Sequence, residues 1–174
     1  MANSYTFQVL KDDTQRCIIK LTGSFDGTGQ ESNTARIQAN TLYGALDANN
    51  IPLRSMSSSN IAKPYYGLSI FRVWYDCANN GDVELYWRAS TNKTIFFLNG
   101  NGEYDGNGNW ITIPNNAANT AGATGDIGIV TRNMAAGDSY TIIIDARKEN
   151  EYYQRGQFND PAAFNYGAYA LQPR

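Results

Sequence analysis

The sequence predicts an all-β protein: an antiparallel β-sandwich, jelly-roll or Ig-like, with an extended C-terminal arm. Three observations lead there. Apolar and polar residues alternate in at least five segments, which is the period of a half-buried strand. Charged residues make up 17% of the 174 residues, below the usual ~25%. Tyr, Asn, Gly, Ser and Thr take their place and suit strands and tight turns better than helices. Gly, Asn and Asp punctuate the chain at the modest spacing of a sandwich or barrel.

The elements follow in order. Tyr5, Phe7 and Val9 alternate with polar residues in the first strand, and Cys17, Ile19 and Leu21 share a face of the second. Ser24 to Thr34 is loop material. Asn40 to Asn50 allows one short helix, with Leu42, Tyr43 and Leu46 on its inner side. Pro52 to Lys63, with its serine run, reads as a contact-making loop. Ser69 to Cys77 is a long strand that sets Phe71, Val73, Tyr75 and Cys77 on one side. Trp74 lies on the other side with Arg72 and Asp76. Val83, Leu85, Trp87 and Ala89 form the next inward row, and the turn residues from Asp76 to Asp82 predict a hairpin between these two strands. Thr94 to Leu98, Trp110 to Ile113 and Ile127 to Thr131 are shorter strands. Ala135 to Asp138 is a tight hairpin turn into the last strand, Ser139 to Arg147.

A chain of this size can bury roughly 70% of its unfolded surface, so a core needs no staples. The net charge of −2 and the scattered Lys and Arg give no electrostatic footprint for nucleic acid or an anionic membrane. No apolar run approaches the ~20 residues of a transmembrane helix. The first residues lack the pattern of a signal peptide, so folding in a cytoplasm is expected, with Cys17 and Cys77 as thiols.

Chemistry is sparse. The sequence has no histidine, which removes histidine triads, histidine zinc sites and the commonest general base. Cys17 and Cys77 lack zinc-ligand spacing and a partner base, and read as small apolar core residues. A glycosidase needs two facing acids. Asp76, Asp82, Glu84, Glu103, Asp105 and Asp126 are the candidates, and most sit in turns, where Asp is favoured by its bond to its own backbone. Asp105, Asn107 and Asn109 have alternate-position spacing for calcium, but Trp110 stands where the loop would need Gly. No catalytic residue, metal site or cofactor is therefore assigned. Trp74 and Trp110 are the candidate sugar contacts, because an aromatic plane beside Asn and Asp is how a lectin-like surface holds carbohydrate.

Three stretches carry a resemblance: Val83 to Asn92, Phe97 to Gly102 and Ala136 to Lys148. Together they resemble the small virion structural proteins of marine tailed phages, those of cyanobacteria and pelagic bacteria. The resemblance implies a non-enzymatic particle protein, assembled in the host cytoplasm and located in the virion. A capsid decoration or cement protein in many copies, docked on the major capsid protein or on neighbouring copies, is the favoured expectation. A tail, neck or baseplate component and a carbohydrate-binding module for host attachment are the alternatives. No functional residue carries over.

The resemblance ends at Lys148, which divides the chain into a sandwich domain, 1–148, and an aromatic arm, 149–174. Tyr152, Tyr153, Phe158, Phe164, Tyr166 and Tyr169 follow no period of two. They are expected to anchor the arm on a partner and to be dispensable for folding; the alternative is that the tail folds back on its own domain and covers an apolar face.

Overall fold

The computed structural model describes residues 2–32, 34–53, 61–106 and 111–154. They form nine strands: β1 (Ser4–Asp12), β2 (Arg16–Ser24), β3 (Thr34–Ile37), β4 (Leu68–Cys77), β5 (Asp82–Trp87), β6 (Lys93–Leu98), β7 (Asn101–Tyr104), β8 (Ile127–Arg132) and β9 (Ser139–Lys148). One sheet runs β1-β2-β9-β4-β7 and the other β3-β8-β5-β6, with every pairing antiparallel. The order β2-β9-β4-β7 facing β3-β8-β5-β6 pairs second with last, third with eighth, fourth with seventh and fifth with sixth. That nesting is a jelly roll, and β1 is an additional strand on its edge. The fold is thus the all-β sandwich expected, and its winding is the jelly roll rather than the Ig-like one.

Each inner face follows from alternation. Cys17, Ile19 and Leu21 of β2 oppose Ala146, Ile144 and Ile142 of β9, and all are buried. From the second sheet come Val83, Leu85 and Trp87 of β5, Ile127 and Ile129 of β8, and Ile37 of β3. Two glycines permit close aromatic packing: a Cβ at Gly23 would strike the ring of Tyr140, and one at Gly128 the ring of Tyr86.

Several expectations are corrected. The turn after Cys77 does not close a hairpin, because β4 and β5 lie in different sheets. The turn at Ala135–Asp138 forms, with Asp138 N–H donating to Ala135 O at 3.1 Å, but it too passes between sheets and closes no hairpin. A turn sequence fixes a local reversal and not the partner of the strand that follows. Phe71 is not inward: a bulge between Ile70 and Arg72 drops it out of alternation. The helix over Asn40 to Asn50 is only a 3-10 turn, Ala39–Thr41, followed by isolated bridges at Ala45, Leu46 and Asp47. Among the described residues of the expected strand Trp110 to Ile113, only Ile113 pairs, in a bridge to Ile70.

The boundary at Lys148 also moves. Residues 149–154 belong to the sandwich, and Tyr153 is a core residue whose hydroxyl donates to Ala39 O at 2.8 Å. Tyr152 packs half-buried on the core, edge-on to Tyr65 with ring centroids 5.1 Å apart. Neither is free to anchor an arm, because the domain itself occupies both rings. Phe158, Phe164, Tyr166, Tyr169 and Trp110 lie outside the described residues.

Candidate functional site

Two surfaces stand out, both on the five-stranded sheet. The first is its outer face. Strand register aligns side chains into rows across the sheet. Ser4, Ser24 and Ser139 form one row, and Thr6, Thr22, Thr141, Asp76 and Asn101 the next. Gln8, Lys20, Ile143, Trp74 and Glu103 form the third. Within the hydroxyl rows, Ser4 and Ser24 Oγ lie 2.9 Å apart, and Thr6 and Thr22 Oγ1 lie 2.5 Å apart. Around the half-buried Trp74, the residues Asp76, Asn101, Glu103, Thr141 and Ile143 line a shallow depression of about 470 Å³.

Toward the other end of this face the charges are tied up. Arg16 clamps the fully buried Asp145 through Nε at 2.5 Å and through Nη2. Its guanidinium stacks 5.6 Å from the Phe71 ring, and that of Arg72 lies 5.2 Å from the same ring. Asp145 hydrogen-bonding raises the Arg16 pKa further. This cluster is an ion pair with its planar groups stacked, and among the described residues the buried Arg72 Nε has no hydrogen-bond partner.

The second surface is strand β1. Its register turns Phe7 and Val9 toward the side of the sheet that carries the core, opposite Leu21 and Ile19. Yet Phe7 is 46% exposed, Val9 47%, and Leu10, at the bulge between Val9 and Lys11, 48%. The cause is architectural. The second sheet has four strands against five, and β1 overhangs it. β1 is also an edge strand: among the described residues it pairs only with β2.

Both ends of the sandwich are sealed by buried ions in structural roles. Lys148 is buried and donates to the Asp12 carboxylate, to Asp13 O at 2.5 Å and to Tyr43 O at 2.7 Å. Glu31, also buried, holds Arg36 and accepts from the Tyr140 hydroxyl at 2.8 Å. Burial, and then the charge of Glu31, push the Tyr140 hydroxyl far above its ordinary pKa.

The six candidate acids separate accordingly. Glu84 accepts from Thr94 at 2.5 Å and Arg132 at 2.6 Å; burial opposes its charge, but these bonds hold its pKa below the ordinary value. Asp126 accepts from Ala39 N–H at 2.9 Å. Among the described residues Asp82 is reached by the Asn99 amide alone, at 3.5 Å. Asp105 is also engaged. Only Asp76 and Glu103 come together, on either side of Trp74. Cys17 and Cys77 are free, buried thiols, and burial pushes both up to about 12. Among the described residues no group of three acidic or sulfur ligands is placed to hold a metal, and no helix is long and apolar enough to cross a membrane.

The sequence pointed to Trp74 and its outward face. It missed the β1 overhang, since Phe7 and Val9 read as ordinary inward residues. It also missed β7, which places Asn101 and Glu103 beside Trp74. The clue to β7 was its Asn-Gly turn: Leu98 is followed by Asn99-Gly100, and Gly100 takes a positive φ of 64°. No family model, no curated protein and no solved structure matches the chain.

Proposed function

We propose that the chain is a non-enzymatic structural protein of a virus particle, present in many copies and docked on the outside of the capsid. The observation that carries this reading is the edge of β1. A nine-residue edge strand exposing Phe7, Val9 and Leu10 is an association hazard for a free-standing protein. In an assembly it is a docking edge. An extended segment of the neighbouring capsid subunit, added beside β1, would pair its free backbone groups and cover the overhanging side chains. The jelly roll, found among viral capsid and lectin domains, lends support by fold analogy alone. The resemblance carried by β5, β6 and β9 points the same way.

The test is attachment to particles that lack the protein. Phe7→Lys with Val9→Lys changes exposed positions, so the variant is expected to stay folded but to bind the shell at least about tenfold more weakly, roughly 1.4 kcal/mol. Binding at wild-type strength and copy number would show that β1 is not the docking edge. Density confined to the tail in cryo-electron microscopy of the complete particle would move the protein to the tail, neck or baseplate.

A further inference from the structure

We propose that the outer face of the five-stranded sheet is a saccharide-binding surface with Trp74 as its stacking platform. The proposal is independent of the docking role, which rests on β1.

The first argument is the chemistry around the indole. A sugar ring presents an apolar C–H face bordered by hydroxyls. An aromatic plane meets the first, and side chains that both donate and accept meet the second. Trp74 supplies the plane. Asp76 and Glu103 supply acceptors, Asn101 an amide and Thr141 a hydroxyl, all around one depression. None of these four polar side chains is engaged in a hydrogen bond or ion pair among the described residues. Elsewhere among the described residues Asp12, Asp13, Glu31, Glu84, Asp126 and Asp145 hold protein partners, whereas the carboxylates of Glu149 and Glu151 hold none. What sets the side chains around Trp74 apart is that four unengaged polar groups border one aromatic plane.

The second argument is shape. The row Thr6, Thr22, Thr141, Asp76 and Asn101 crosses all five strands. At ~4.8 Å between strands it extends roughly 19 Å. An open polar strip of that length suits an extended chain of several sugar rings better than a compact metabolite. The strip's charge disfavours the polyanionic alternative, because Asp76 and Glu103 would repel phosphodiesters. Its position disfavours a protein segment. Strand addition would run along the outer edge of β7 and not across this face, and the depression's apolar contacts are confined to Trp74, Ile143 and the part-buried Tyr75.

The test uses the full chain and nuclear magnetic resonance of its tryptophan indole groups. The probes are cellohexaose, mannohexaose and chitohexaose at millimolar concentration. The expected result is a saturable shift of the Trp74 signal with at least one probe, while the buried Trp87 stays unmoved. Trp74→Ala is expected to weaken that binding by about tenfold or more, and Glu103→Gln by a smaller factor. Trp74→Phe, which keeps a ring, should retain part of the affinity and serves as the decisive variant if Trp74→Ala fails to fold. The proposal is overturned if no probe gives a saturable shift, or if the Trp74 variants bind like the wild type. A folded Trp74→Ala chain that binds every probe normally but no longer attaches to particles would assign this face to a protein neighbour, and would equally overturn it.

Discussion

Replacing Tyr153 tests where the domain ends. Its ring is fully buried, 5.9 Å from that of Tyr66 between centroids and under the Lys148 ammonium at 5.2 Å, and its hydroxyl satisfies Ala39 O at 2.8 Å. Truncating a buried aromatic side chain to alanine costs about 3–5 kcal/mol. Leaving the Ala39 carbonyl without its donor adds about 1 kcal/mol. Tyr153→Ala should therefore cost about 4–6 kcal/mol, against the 5–15 kcal/mol that holds a typical domain together. With a urea slope of about 2 kcal/mol/M, the midpoint falls by about 2–3 M. Tyr153→Phe removes only the hydroxyl and should cost about 1 kcal/mol. Stopping the chain after Lys148 also deletes the bonds Leu46 N–H to Tyr152 O and Gln154 N–H to Gly44 O, at 3.0 and 2.6 Å. It should be at least as damaging as the alanine variant. Equilibrium urea unfolding followed by far-ultraviolet circular dichroism is the assay. A Tyr153→Ala midpoint within ~0.5 M of wild type, at unchanged slope, would refute the placement of this residue in the core.

Four further outcomes are expected. Lys148→Met leaves the Asp12 carboxylate and two carbonyls without their shared donor, and should cost about 3–5 kcal/mol by the same urea assay. Gly128→Ala drives a methyl group into the Tyr86 ring and should cost about 1–3 kcal/mol. Native Cys17 and Cys77, raised to about 12 by burial, should resist a thiol reagent at pH 8, and both should react once the chain is denatured. Stability should also fall as the medium becomes alkaline. The unfolded chain gives up its thiol protons near ~8.5 and its tyrosine protons near ~10, whereas the folded chain keeps those of Cys17, Cys77, Tyr140 and Tyr153 to higher pH. The unfolded state then binds fewer protons, so the slope of stability against pH is negative from about pH 8.5 upward. A flat urea midpoint from pH 8 to 10 would contradict it.

The sequence was most informative where one face is wet and the other dry. β2 alternates throughout and β9 alternates from Ser139 to Ile144, so Cys17, Ile19 and Leu21, and Tyr140, Ile142 and Ile144, were legible as core rows. β4 carries a similar pattern, but a bulge reset its phase, and periodicity alone could not locate the bulge at Phe71. β3 and β7 were illegible because each has four residues, too few for a period to show. Pairing was hidden for a different reason. Asn79-Asn80-Gly81 specifies a reversal, and only the competition among all strands for partners sends β4 and β5 into separate sheets. Of the depression on the outer face, Trp74 was visible as an outward aromatic, whereas its neighbours Glu103 and Thr141 arrive from strands far apart in sequence. Tyr153 failed the other way: without alternation around it, a core residue looked like part of an arm.

The nested winding has a consequence for how the chain is made. β2 finds its partner in β9, and Arg16 and Asp145 stand 129 residues apart. At roughly 5–20 residues per second a ribosome needs about 6–26 s to bridge that interval. Through it the β1–β2 hairpin must wait with Cys17, Ile19 and Leu21 uncovered, while β5 and β6 can pair almost as soon as they emerge. The central sheet closes only when nearly the whole domain has been synthesised, and long-range pairing of this kind folds slowly. Yield in the cell should therefore depend on translation speed and chaperone supply more than the stability of the finished sandwich would suggest.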